Sequence, residues 1–392
     1  MSPTEASLLA GRHVVLLNWR DLGNPEGGGA ELYLDKMAHG LVAHGCRVTH
    51  FSAAYPGAAP DETVDGVRYV RRGSKLSVYG RGLTGLRSGL FGRADLVVDV
   101  QNGMPFLSPL VTRRPVIVLV HHVHREQWPV VYPGLPGRVG WLIESRVAPR
   151  LYAHSQYVAV SRATREELAE LGVDRRSIAV VHNGAEPVID VGAPVSDHPT
   201  ICVVGRLVPH KQVEHAIDAA LQLRREHPTL RLHVVGAGWW AADLRRYADD
   251  RGAGDTVVFE GHVDEVRKQE IYERSWVMAL PSLKEGWGLV VGEAGMHGTP
   301  TVAYRSAGGT RESIAHDHSG VLVDTPEELT ASLGRILDDP ALRARLAAGA
   351  RQYSQQFTWA HSQAAFAHVV ASALAGRRIS AQDEVVEDQR VP

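Results

Sequence analysis

The chain has 392 residues, 42 of them Lys or Arg and 44 Asp or Glu, for a formal net charge of −2 at pH 7. That length suffices for two domains of ordinary size, and the balanced charge argues against a dedicated nucleic-acid-binding protein. The two cysteines, Cys46 and Cys202, exclude a disulfide framework or a Cys-type metal site and fit a reducing cytoplasm.

The N-terminus lacks a charged start followed by a long apolar core, so no signal peptide is expected. No apolar run approaches membrane-span length. There are 20 histidines but no His-Glu-x-x-His or similar ligand spacing, which points to metal-free chemistry. Lysine is scarce: arginine supplies 37 of the 42 cations, so each of Lys36, Lys75, Lys211, Lys268 and Lys284 is informative.

Short β-rich runs alternate with helical patterns. In the first half they fall at 13–17, 47–51, 67–70, 96–100, 116–120, 158–160 and 178–181. Most are continuously apolar, as expected of parallel strands buried on both faces in a doubly wound α/β fold. The first strand runs into a long loop containing Gly27, Gly28 and Gly29, then a helix with Leu34, Met37, Ala38, Leu41 and Val42 on one face. The loop has the glycines of an anion or sugar contact but not the dinucleotide Gly-x-Gly-x-x-Gly spacing, which argues against an NAD-dependent dehydrogenase. The run at 116–120 ends at His121-His122-Val123-His124. Adjacent residues on an extended chain face opposite sides, so His121 and His122 would not share an ion. Ser161 reads as a helix cap, and Asn183-Gly184 as a turn. The Pro- and Gly-rich stretch 187–198 reads as a linker.

The second half has runs at 201–204, 232–235, 257–259, 277–280, 301–304 and 321–323. After the first comes Gly205-Arg206-Leu207-Val208-Pro209-His210-Lys211, in which Arg206 and Lys211 could converge on one diphosphate. Val234-Val235-Gly236-Ala237-Gly238 repeats the strand–glycine arrangement and is followed by Trp239 and Trp240. His262 and Val263 follow the run at 257–259. The most telling segment is Lys284-Glu285-Gly286-Trp287-Gly288-Leu289-Val290-Val291-Gly292-Glu293. It reads as a strand, a glycine loop and a helix starting near Leu289, with bare backbone N–H groups and two carboxylates directed at one ligand. A nucleotide sugar carries both the phosphate and the hydroxyls that such a set accepts: Glu285 for the sugar and Glu293 for the ribose.

This segment resembles the Glu-x7-Glu motif of retaining glycosyltransferases with the GT-B fold, family 4 in particular, with Trp287 where the family usually has Phe. The resemblance extends to the Gly205–Lys211 pair that grips the donor diphosphate, to Gly236 and Val263 beside the nucleotide, and to Gly286, Gly288 and Leu289 as backbone donors. It also covers Gly27–Gly29 facing phosphate and acceptor, and a His directly after the strand at 116–120. His121 fits that position and His122 is the runner-up. Gly308-Gly309 to Glu312 matches a segment in which the Glu is structural. The Asp-x-Asp motif of the other major glycosyltransferase fold is absent.

The resemblance implies two Rossmann-like, doubly wound parallel-sheet domains facing a central cleft. They span 1–186 for the acceptor and 199–356 for the donor. A helix at 357–376 returns to the first domain, and a disordered tail follows at 377–392. It implies a retaining, metal-independent transfer of sugar from a nucleotide donor to an acceptor hydroxyl, with Glu285, His121, Arg206 and Lys211 at the reacting centre and no cofactor. UDP is the first expectation for the nucleotide, with GDP, dTDP or ADP as alternatives. The acceptor would be a glycan, a lipid-linked sugar or a natural product, and the protein would be cytoplasmic. The basic, apolar stretches 75–93 and 138–150 read first as solvated helices, with the lining of an acceptor cleft or peripheral contact with a membrane carrying a lipid-linked acceptor as the alternatives. The alternative functions are a GT-B nucleotide-sugar epimerase and a non-catalytic sugar-nucleotide-binding protein.

Overall fold

The computed structural model describes residues 3–189 and 191–380, so the expected tail lies outside the described residues from 381 on. The chain divides into two compact units: residues up to Asn183 together with those from Trp359 on, and Gly184–Thr358.

The first unit is built on eight strands: β1 (His13–Leu17), β2 (Arg47–Ser52), β3 (Asp61–Val64), β4 (Val67–Arg71), β5 (Leu96–Gln101), β6 (Val116–Val120), β7 (Gln156–Ala159) and β8 (Ile178–Val180). Their order is β3-β4-β2-β1-β5-β6-β7-β8, and only the β3–β4 pair is antiparallel. β1, β5 and β6 are buried along their whole length because helices cover both faces; β6 accordingly reads as an unbroken apolar run, while β1 opens on His13 and β5 carries Asp99 and Gln101.

β3 was not expected. Asp-Glu-Thr-Val has neither the apolar character nor the clean alternation of a strand, but an edge strand tolerates charge. The available signal was Asp65-Gly66 between Val64 and Val67. Both residues take positive φ, 47° and 84°, as a two-residue hairpin turn requires.

The last helix, Trp359–Leu374, belongs to the first unit. Its Trp359 ring meets Tyr33 edge-on at 6.2 Å, and Gln363 Nε2 donates to the Lys36 carbonyl at 2.9 Å. Gly40 permits this approach, since a Cβ there would lie 2.7 Å from Gln363 Cγ.

The second unit holds β9 (Thr200–Val204), β10 (Arg231–Val235), β11 (Val257–Gly261), β12 (Val277–Leu280), β13 (Thr301–Tyr304) and β14 (Gly320–Val323). They form one parallel sheet in the order β11-β10-β9-β12-β13-β14. Ile201 and Val203 of β9 join one apolar layer, with Leu232, Val234, Leu329 and Leu333. Cys202 and Val204 join the layer on the opposite face, with Met278, Leu280, Ile271 and Val291. That alternation along one strand is the doubly wound arrangement seen residue by residue.

The stretch read as a linker lies within this unit. Ser196 N donates to the Arg274 carbonyl at 3.1 Å, and Trp276 Nε1 donates to the Ser196 carbonyl at 2.9 Å.

Candidate functional site

In the second sheet the strand order reverses between β9 and β12. Successive strands are added on one side of β9 up to β11 and on the other side from β12 onward. Ligands of open α/β sheets bind outside the carboxyl ends of the strands at such a reversal. The loops leaving β9 and β12 are the two that carry Gly205–Lys211 and Glu285–Gly288.

These loops are tied together. Leu283 N donates to the His210 carbonyl at 2.9 Å. Lys211 Nζ lies 2.5 Å from Glu285 Oε1, so two residues 74 positions apart form a direct ion pair. The pair is 21% and 10% exposed, so it is partly desolvated but open to a ligand. Arg206 stands exposed directly after Gly205 at the end of β9, on the same loop as Lys211.

The backbone around the pair is closely built. Gly205 has φ 154°, and a Cβ there would meet nothing within 4 Å. Gly236, at the end of β10, has φ 129°, and its Cβ would fall 1.9 Å from the Gly205 carbonyl oxygen, so only glycine lets the two loops run side by side. The Gly205 amide donates to the Val235 carbonyl at 3.0 Å. Val263 packs against the apolar layer that includes Val204, Val235 and Leu280.

On the other side, the Glu285 amide donates to the Ala307 carbonyl at 2.8 Å, and the Gly309 amide donates to the Glu285 carbonyl at 3.0 Å. Glu285 is therefore held by its backbone as well as by Lys211. Gly288 adopts φ 88° and caps the helix Leu289–Met296 without a side chain, leaving the helix start uncovered by any capping group. The Trp287 ring is buried and meets Phe357 at 4.9 Å, so it anchors the loop, and this residue presents backbone to the site.

Glu293 lies one helical turn beyond the start of that helix. Its Oε2 accepts from the Tyr272 hydroxyl at 2.9 Å and pairs with Lys268 Nζ at 3.1 Å. Burial lowers the Lys268 pKa, but Glu293 and Glu265 outweigh it and the net shift is upward. Lys268 was noted in the sequence only for its rarity, and its place under Glu293 depends on tertiary packing.

In the first unit, the loop of Gly27, Gly28 and Gly29 is pinned by a buried pair. Arg20 Nη2 lies 3.2 Å from Glu31 Oε1, and the other Glu31 oxygen accepts the Gly28 amide at 2.8 Å. His121 sits at the end of β6, two strands from β1. It meets the loop's helix through Tyr33, edge-on at 5.4 Å. Its Nε2 is buried with no hydrogen-bond partner, and Thr164 Oγ1 donates to its carbonyl at 3.0 Å. Burial first, and then the neighbouring His124, lower the His121 pKa to about 3. His121 is thus a neutral imidazole at physiological pH, able to hydrogen-bond a ligand but not to share positive charge. His122 instead faces Gln127 Oε1 at 3.2 Å, and its ring centre lies 4.2 Å from that of His124 with the planes tilted by 35°. Among the described residues no group of three or more His, Cys, Asp or Glu is arranged to hold a metal ion.

A stability prediction follows from His121 and from His50, whose pKa burial lowers to about 4. Both groups stay neutral in the fold below pH 6.5 while the unfolded chain protonates them. The unfolded state then binds more protons, so stability present above pH 6.5 is lost as pH falls toward 4. Each group contributes a slope of about 1.4 kcal/mol per pH unit. Urea unfolding at pH 5 should give a free energy roughly 3–4 kcal/mol below that at pH 7, with the slope near half in His50→Phe. A flat profile over this range would contradict the burial of both rings.

Two mostly parallel, doubly wound sheets, the second with Lys211 and Glu285 on the loops at its strand-order reversal, are the architecture of a GT-B glycosyltransferase. Residues 27–188 match the family model described as Glycosyltransferase Family 4, and residues 188–353 match Glycosyl transferases group 1. A protein of Xylanimonas cellulosilytica described as D-inositol 3-phosphate glycosyltransferase is 31% identical over 397 residues, covering 90% of this chain and 93% of the relative. Among solved structures, sucrose-phosphate synthase from Thermosynechococcus elongatus superposes with a TM-score of 0.78 at 20% identity, over 93% of this chain and 99% of the other. HepE of Anabaena in complex with UDP-glucose does so with a TM-score of 0.71 at 20% identity, over 92% and 99%. The chain belongs to glycosyltransferase family 4, and it is a glycosyltransferase.

Proposed function

We propose that the protein transfers a sugar from a UDP-sugar donor to an acceptor hydroxyl with retention of anomeric configuration, without a metal, at the cytoplasmic side of a membrane. The observation that carries this reading is the Lys211–Glu285 pair at the strand-order reversal, with Arg206 exposed on the same loop as Lys211. HepE, of the same fold, was solved with UDP-glucose, which supports the choice of nucleotide.

Without donor, Lys211 and Glu285 neutralise each other. An arriving diphosphate competes for the Lys211 ammonium and joins Arg206. The Glu285 carboxylate is then released to accept hydrogen bonds from sugar hydroxyls, each charge-assisted contact worth about 1.5–3 kcal/mol. Glu293, held by Lys268 and Tyr272, accepts from the ribose. During transfer the bond between the anomeric carbon and the phosphate oxygen breaks. The acceptor oxygen bonds to that carbon on the same face, and its proton passes to the departing phosphate oxygen. Negative charge grows on the diphosphate as the bond breaks, so Arg206 and Lys211 bind the transition state more tightly than the ground state. Neutral His121 contributes a hydrogen bond to the sugar, not a charge.

Lys268→Met should leave Glu293 with Tyr272 alone, raising the donor KM about tenfold with kcat nearly unchanged, as expected for loss of uniform binding. An unchanged KM would detach Glu293 from the donor. The reading as a whole is tested by thermal shift with UDP, GDP, dTDP and ADP sugars, with and without EDTA. A rise selective for UDP that survives EDTA is expected. No rise with any of the four would overturn it.

A further inference from the structure

The segment from Gln127 to Arg150 is amphipathic in the wrong sense for a core helix. Helical turns run from Leu135 through Leu151, with one π turn at Ile143–Val147. The face turned inward carries Gly137, Gly140 and Glu144. Gly140 lies so close to Trp128 that a Cβ would fall 2.3 Å from its ring, and the Trp128 indole donates to Glu144 Oε2 at 2.6 Å. Glu144 is fully buried, and its other oxygen lies 3.0 Å from His124 Nδ1. The face turned outward carries Leu135, Val139 and Leu142, three and four residues apart as one helical stripe requires. These are 73%, 45% and 51% exposed. Arg138 and Arg146 fall on the same stripe and are exposed.

The charge pattern agrees. Glu144 is the one acid between residues 127 and 150 and it is buried, so within this stretch no carboxylate faces solvent; the nearest exposed acid is Glu126, just before it. The neighbouring surface continues the pattern. Lys75 Nζ lies 5.8 Å from the centre of the Tyr132 ring, which brings the loop before the helix Val78–Ser88 against this segment. That loop exposes Leu76 at 81%, and residues 66–94 contain no Asp or Glu. Exposed apolar residues scattered singly need no explanation. A stripe of them rimmed by cations, with the acid withdrawn beneath it, is the pattern of a helix lying in a bilayer interface, with its side chains at the acyl boundary and its arginines at anionic headgroups.

We propose that this face docks the protein on an anionic lipid bilayer, with Leu135, Val139 and Leu142 inserted and Arg138 and Arg146 paired with headgroup phosphates. The proposal rests on the membrane placement given above and makes it specific. The full-length protein is sedimented with vesicles of phosphatidylcholine alone and of phosphatidylcholine with 30% phosphatidylglycerol, and donor binding is followed on the same samples by thermal shift with UDP-glucose.

Binding to the anionic vesicles only is expected, weakening with added salt. Arg138→Gln with Arg146→Gln should weaken it roughly twenty-fold, and Leu135→Asn with Leu142→Asn about tenfold. Neither double variant should change the UDP-glucose shift, because none of the four residues belongs to the donor site. Failure of wild type to sediment with anionic vesicles, or equal binding by the variants, overturns the proposal while leaving donor binding to be judged on its own. A concentration-dependent dimer that the Leu135→Asn, Leu142→Asn variant abolishes, in protein that ignores vesicles, overturns it in favour of a second copy of the chain on this face.

Discussion

Arg206→Ala is expected to fold as wild type and to lose about 10²–10³-fold in kcat, the cost of deleting one preorganised group at a developing charge. The side chain is exposed at the end of β9, so its removal opens no cavity and leaves no buried group unpaired. The loss should fall mainly on kcat rather than on KM, because the guanidinium gains most when the diphosphate leaves. Lys211→Ala provides the contrast. It strips the partner from a Glu285 carboxylate that is 10% exposed, so it should lower stability as well as turnover. If Arg206→Ala, with an unchanged melting temperature, turns over near the wild-type rate, the diphosphate is not held at the end of β9. The reversal-point reading would then have lost its main electrostatic element.

What the residue pattern reveals depends on the range of the interactions involved. The buried parallel strands were legible because a strand covered on both faces is mostly apolar along its length, as β6 and β12 are throughout and β1 is after His13. β7 was read two residues late because its first residue is Gln156. That polar side chain is buried only because its amide donates to the Ser177 and Ile379 carbonyls at 2.9 Å.

At the site, residue types were legible and pairings were not. Arg206, Lys211 and Glu285 carry motif spacing, but the 2.5 Å contact between Lys211 and Glu285 spans 74 residues and exists only because β9 and β12 are neighbours. Lys268 under Glu293 and Arg20 under the glycine loop are likewise products of packing. Trp287 was legible as a motif position. The burial of its ring against Phe357 was not, because no local pattern distinguishes an aromatic that lines a ligand from one that anchors a loop. Asp99 is the extreme case. It is a fully buried acid inside β5 that accepts from the Phe106 and Ser108 amides at 2.9 and 3.1 Å. It holds the next loop in place, and nothing in its sequence neighbourhood announces it.

The second large effect should come from a residue that touches no ligand. Gly309→Ala is expected to lower kcat/KM about 10²-fold, the scale of a 1 Å misplacement relayed from outside the reacting centre. Gly309 has φ −60° and ψ −21°, which alanine adopts without strain, so the added methyl acts through space and not through the backbone angles. A Cβ there would lie 2.1 Å from the Gly286 carbonyl oxygen, 2.5 Å from its carbon and 2.7 Å from Trp287 Cα. All three are backbone atoms, so no rotamer change can relieve the contact. Trp287 cannot retreat easily, since its ring is seated against Phe357 at 4.9 Å. The movement must therefore be taken by the Glu285–Gly286 peptide, which carries the carboxylate that faces Lys211. Overpacking of this kind costs about 1–3 kcal/mol, so the melting temperature should fall without loss of the fold. Gly80→Ala is the matched control. Its Cβ meets nothing within 4 Å in the helix Val78–Ser88, and the change should be neutral or slightly stabilising with full activity. Should Gly309→Ala retain kcat/KM within twofold, the position of the Glu285 loop would be set by something other than this backbone contact. Should it lose activity while Gly80→Ala does not, the second glycine of Gly308-Gly309 would be needed for want of room and not for flexibility.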